Sequence, residues 1–168
     1  MTDPHLVIMG PMGVGKSTLA HLVGDALGRP VRDSDRDIER LFGRTGGDIA
    51  AADGVDALHD LEAAVLLGAL ADSAPMVIGA AGWVVEDRRC REALGRRATV
   101  VVLDLATDAL VERLRAADEN HRRTIDRDEV EALAVRRRPA YQEVADLWLD
   151  AGCPAEDLAT EVVAWARR

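Results

Sequence analysis

The sequence predicts an α/β fold, with helices layered on both faces of a parallel sheet. Three observations predict it. Short apolar runs rich in β-branched residues alternate with stretches at helical spacing along the 168 residues. The runs are too uniformly apolar for half-exposed strands, as expected of strands covered on both sides. The connections between them are helical, which implies right-handed crossovers and parallel strands.

HLVIM, residues 5–9, is the first strand and is bounded by Gly10. KSTLAHLVGDALG then reads as a helix stopped by Gly28. A short strand is expected to end at Asp33 and Asp35, which alternate there. Residues 54–72 place Leu58, Leu61, Val65 and Ala69 at helical spacing, so a helix is expected there. PMVIG (75–79) and ATVVVLDL (98–105) are further strands, with a helix over VEDRRCREALG between them. DALVERLRAA and DEVEALAVRRR are helices, the second expected to end before Pro139. LWLD (147–150) is the last strand, followed by a closing helix that ends near Trp165. No repeat or low-complexity linker interrupts the series, so one domain over residues 1–168 is expected.

Composition narrows the function. The formal charge is −9, which argues against a nucleic-acid backbone as partner, because that binding requires a basic face. The longest apolar runs, such as AAVLLGALA at 63–71, fall short of the roughly 20 residues of a membrane span. MTDPHLVIMG has neither the basic start nor the apolar stretch of a secretory signal, so a cytoplasmic protein is expected. Cys90 and Cys153 form neither a disulfide framework nor a metal set. Arginines gather at Arg136–Arg138 and at Arg122–Arg123, either as solvated helix ends or as a grip on a small anion.

GPMGVGKST, residues 10–18, holds the only lysine; the other twenty basic residues are arginine. Gly10–Ser17 fits GxxxxGK(S/T) directly after a strand and at the start of a helix, where the mechanism requires it. Such glycines let backbone N–H groups converge on phosphate oxygens at the positive end of the helix. Lys16 can reach the β- and γ-phosphates as a compact point charge, which the broad fork of arginine cannot do in that cradle. Gly13, Val14, Gly15, Lys16, Ser17 and Thr18 are therefore read as the ATP site, with Ser17 as a magnesium ligand. Asp33 and Asp35 have two readings: a magnesium ligand beside a group facing an acceptor hydroxyl, or a helix N-cap with an acidic first turn.

With these residues in order the chain resembles shikimate kinases. The family has a phosphate loop close to GxMGxGKST, then DxD, IE three residues on, a glycine, and a GExxFRxxE helix start. Here they stand as GPMGVGKST, DSD, Ile38–Glu39, Gly43 and GVDALHDLE. The resemblance implies the nucleoside monophosphate kinase fold, with a five-stranded parallel sheet in the order 2-3-1-4-5. It also implies ATP and Mg2+ as cosubstrates, a small-molecule acceptor, no nucleic-acid or membrane partner, a monomer, and a place in aromatic amino acid biosynthesis. An acceptor-binding helical segment at about 35–62 and a lid at about 116–128 are implied as well. Residue by residue, Asp33 supports magnesium, Asp35 binds the acceptor hydroxyl as candidate base, and Arg122 closes over the γ-phosphate. Arg115 takes the place near the lid base, and Arg137 contacts the acceptor carboxylate. Without the resemblance, RRRPAY reads as a basic helix end before proline.

Three departures bear on the acceptor. His59 stands where the family has the second carboxylate-clamping arginine, unless it is only a polar residue on a solvated helix face. GAAGW gives Ala80, Ala81 and Gly82 in place of three glycines; any position needing positive φ would strain alanine, and otherwise the pocket is only narrower. Trp83 beside them covers a ring in the pocket or belongs to the core. The lid has Arg122–Arg123 for the usual Arg-Pro pair, and DAGCPAED lacks the arginine that often lies along adenine. The leading expectation is a kinase for shikimate or a close relative. The alternatives are a kinase for another polyol, gluconate-like or secondary-metabolite acceptor, and a nucleotide-binding regulator without transfer chemistry.

Overall fold

The computed structural model describes residues 3–117 and 125–167. Strand β1 (His5–Met9) leads through the glycine-rich turn into α1 (Lys16–Leu27), followed by β2 (Val31–Asp33) and α2 (Ser34–Phe42). Helices α3 (Gly46–Asp53) and α4 (Val55–Ala71) precede β3 (Val77–Gly79), a 3-10 turn (Gly82–Glu86) and α5 (Arg88–Arg97). The chain closes with β4 (Ala98–Asp104), α6 (Thr107–Ala117), α7 (Arg127–Val144), β5 (Leu147–Asp150) and α8 (Ala155–Ala166). The strands form one parallel sheet in the order β2-β3-β1-β4-β5. Ile8 pairs with Gly79 on one side of β1, and Met9 pairs with Val102 on the other.

Strand alternation divides the core in two. Val7, Met9, Ile78, Val100 and Val102 face α4, α5 and α7. Leu6, Ile8, Val77, Val101 and Leu103 face α1, α6 and α8. Both faces are covered, which is why the strands read as continuous apolar runs. Among the described residues no helix is long and apolar enough to cross a membrane.

The helix expected over residues 54–72 is α4, which buries Glu62, Ala63, Leu66, Ala69 and Leu70 while Leu58, Leu61 and Val65 are half-buried. Two local expectations are corrected. Helix α7 runs through Pro139 to Val144, because losing one backbone hydrogen bond to Val135 is offset by burying Tyr141 in the core behind it. Asp35 lies in the first turn of α2, not on a strand, and only Asp33 is in β2.

Candidate active site

The carboxyl ends of β1, β2 and β3 open onto a cleft of about 450 Å3, lined by the glycine loop, Asp33–Asp35, His59, Glu62, Gly79–Trp83, Leu133 and Arg137. Parallel α/β sheets place ligands at this edge. A smaller cavity of about 80 Å3 beneath α7 is walled mostly by leucine, valine and aromatic side chains and offers little to a phosphate.

The loop owes its shape to glycine at sites where another residue fails. Gly13 has φ 80°, and a Cβ there would stand 2.7 Å from Leu114 Cδ2. Gly15, at φ 106°, is the residue from which α1 starts, so the helix's unpaired N–H groups face the loop's hollow. Lys16 Nζ donates to Pro11 O at 2.8 Å across the loop. Burial lowers its pKa to about 8, against the raising effect of Asp35 and Asp33, so the ammonium is partly desolvated before any anion arrives.

Asp33 caps α2: its Oδ1 accepts from the N–H groups of Asp35 at 3.1 Å and Arg36 at 3.2 Å. The N-cap and magnesium readings of Asp33 are compatible, because Oδ2 is left over and lies on the Gly79 side. Ser17 Oγ is exposed at the mouth of the cleft. One carboxylate oxygen and one hydroxyl suit Mg2+, which keeps waters and phosphate oxygens as its remaining ligands. No group of three or more His, Cys, Asp or Glu able to cage a metal occurs among the described residues. Cys90 is buried and Cys153 exposed, both free.

Asp35, two residues past the cap in the first turn of α2, lines the cleft. Burial and then the charge of Asp33 raise its pKa, while Lys16 opposes the rise. Glu62 stands on the same wall, 9% exposed, with Oε2 lacking a hydrogen-bond partner among the described residues. Burial and the charge of Asp35 push its pKa up to about 7. Sequence reasoning missed Glu62; the signal was an acidic residue on the inner face of an otherwise apolar helix.

The other end of the cleft is built by the 3-10 turn and α7. Arg137 is mostly buried, and its Nε donates to Glu86 Oε1 at 2.6 Å. Tyr141 Oη donates to Gly82 O at 3.1 Å. Gly82 is required here for space, not for conformation: a Cβ would lie 3.0 Å from Gly10 O and 3.3 Å from both Arg137 Nη1 and Tyr141 Oη. Ala81 has φ −60°, so alanine is unstrained there and only narrows the pocket. His59 stacks on Trp83, ring centroids 4.1 Å apart and planes 7° from parallel. Burial and the charge of Arg137 lower the His59 pKa, so the ring is a neutral wall and not a second cation. Trp83 meets both its readings, lining the cleft on one side and packing against the core on the other.

A family model described as shikimate kinase matches residues 12–167. The chain belongs to the shikimate kinase family. A shikimate kinase of Symbiobacterium thermophilum is 36% identical over 145 residues, which cover 84% of this chain and 83% of that one. Shikimate kinase 1 of Yersinia enterocolitica is 30% identical over 163 residues, covering 95% and 91%. The structure of the Acinetobacter baumannii shikimate kinase in complex with shikimate superposes with a TM-score of 0.88 at 28% identity, covering 98% of this chain and 93% of that one.

Within this family frame, Lys16, Ser17, Thr18, Asp33, Asp35, His59, Ala81, Gly82 and Arg137 line one cleft, as does the loop at Gly13 and Gly15. Val14 turns its side chain into the core. Arg122 and Arg123, with most of the expected lid, lie outside the described residues. Arg115 is exposed and donates to Ile125 O at 3.3 Å. Two residues earlier on α6, Arg113 donates to Val14 O at 3.1 Å and to Ala151 O at 2.8 Å, tying that loop to the segment after β5.

Proposed function

We propose that this chain transfers the γ-phosphoryl group of magnesium-bound ATP to a hydroxyl of shikimate. The observation that carries it is Lys16 and Asp35 facing one cleft, with Arg137 on its far wall, in a member of the shikimate kinase family. Backbone N–H groups of residues 13–18 and the Lys16 ammonium would hold the β- and γ-phosphates. Ser17 and Asp33 would hold Mg2+, which when bound offsets charge on the phosphate oxygens. Arg137 would take the acceptor carboxylate, turning a ring hydroxyl toward Asp35.

In the step itself the acceptor oxygen bonds to the γ-phosphorus, the bond from that phosphorus to the bridging oxygen breaks, and ADP leaves. The hydroxyl proton passes to Asp35, whose raised pKa suits an acceptor of protons. The His59–Trp83 stack would cover the acceptor ring and keep water from the phosphoryl group. One chain supplies both halves of the cleft, which supports a monomer as the acting unit. ADP release coupled to shikimate, with quinate and gluconate in parallel, tests the assignment. Shikimate should give the highest kcat/KM, and no stimulation by shikimate refutes it.

A further inference from the structure

We infer that Glu86 is a positioning residue of the acceptor site, holding one edge of the Arg137 guanidinium so that the opposite edge is offered to the acceptor's carboxylate. This rests on the acceptor being shikimate or another carboxylate-bearing ring, as proposed above.

A guanidinium has two usable edges, one through Nε and one between the terminal nitrogens. In this chain the first is taken: Glu86 Oε1 receives Arg137 Nε–H at 2.6 Å and Arg136 Nη2–H at 3.0 Å. The Arg137 side chain is 12% exposed, so an unheld fork there would leave buried donors unpaired. The other edge is aimed by what stands beside it. Arg137 Nη1 lies against Gly82, in space that any side chain would fill, and the Tyr141 hydroxyl is tied to the Gly82 carbonyl on the same side. The same five-residue 3-10 turn carries Gly82, Trp83 and Glu86, so it fixes the fork at two points and presents the aromatic wall between them.

The arrangement matters more here than in a site with two cationic clamps. His59 is stacked on Trp83 and its charge is disfavoured, so among the described residues lining the cleft Arg137 is the one arginine for the carboxylate. One guanidinium binds a carboxylate well only in the bidentate orientation, and Glu86 selects that orientation in advance. Arg136 shares the same carboxylate oxygen, so the three groups keep a net positive charge and the acceptor is not repelled.

The test is steady-state kinetics of wild type, Glu86→Ala and Glu86→Gln with shikimate and with its methyl ester. Glu86→Ala should raise the shikimate KM about tenfold, the scale of one charge-assisted hydrogen bond, with the KM for ATP changed less than about twofold. Glu86→Gln keeps an oxygen for Nε–H and should recover to within about threefold of wild type. With the methyl ester, which has no carboxylate, wild type and Glu86→Ala should differ by less than about twofold. An unchanged or lower shikimate KM in Glu86→Ala, no recovery in Glu86→Gln, or an equal loss with acid and ester overturns the inference. A wild-type enzyme inactive on shikimate is a separate result, visible before any variant is made; it refutes the acceptor assignment and this inference with it.

Discussion

Replacing Glu62 by glutamine removes a charge from the floor of the cleft while keeping its shape. The carboxyl is 9% exposed, and its Oε2 lacks a hydrogen-bond partner among the described residues. Burial, then the charge of Asp35, lifts its pKa from an ordinary 4.5 to about 7, against Arg137 and Lys16. An acid with a raised pKa in the folded state is neutral in both states below 4.5 and ionised in both above about 7. Between these values the unfolded chain gives up its proton first, so stability falls as pH rises and stays lower thereafter. At about 1.4 kcal/mol per pH unit, the interval amounts to about 3 kcal/mol. A chain of this length shifts its Tm by roughly 2–4 °C per kcal/mol, so Glu62→Gln should melt about 6–12 °C above wild type at pH 8 and within about 2 °C of it at pH 4.5. Scanning calorimetry of both proteins across that range is the assay. Parallel Tm curves over the whole interval would mean that Glu62 is ionised throughout, refuting the reading of it as a buried, unsatisfied acid. The same ionisation places a negative charge near the acceptor carboxylate, so the wild-type shikimate KM should rise from pH 6 to 8 while that of Glu62→Gln stays flat.

Lys16, at about 8, loses its proton from the free enzyme as pH rises, whereas bound phosphates retain it. Magnesium-ATP binding should therefore take up protons near pH 8 to 9 and weaken above that, measurable by calorimetry in buffers of different ionisation enthalpy; Lys16→Met should abolish both. Gly13→Ala meets φ 80° and the Leu114 side chain at 2.7 Å, so it should cost about 1–3 kcal/mol in chemical denaturation and weaken ATP binding. His59→Arg exchanges a neutral stacked ring for a charged fork, so the shikimate KM should fall by about three- to tenfold. Release of the stack on Trp83 should change tryptophan fluorescence, and an unchanged KM would place residue 59 outside the acceptor's reach.

The donor half of the cleft was legible in the sequence because its parts are contiguous. Gly13, Gly15, Lys16 and Ser17 act through one turn, and spacing along the chain is spacing in space. The sheet was equally legible, since strands covered on both faces leave unbroken apolar runs such as Val100–Leu103. Periodicity alone did not report which face of α4 is inward, where the acidic Glu62 is buried and lines the cleft. It also failed at Pro139, where packing of Tyr141 outweighs the lost hydrogen bond.

By itself the sequence determined the glycine loop with its lysine and the strand-and-helix alternation, because each is a property of neighbouring positions, and it nominated Asp35, His59, Ala81, Gly82 and Arg137 as candidate acceptor residues. Only the tertiary structure decided how those acceptor residues are used. It set His59 flat on Trp83, left Glu62 without a partner and placed Glu86 on Arg137, 51 residues further along the chain. The physical reason is that charge and hydrogen bonding depend on distance through space. Burial of the cleft raises the energetic weight of each such contact, and no pattern of local spacing reports which distant groups will meet there.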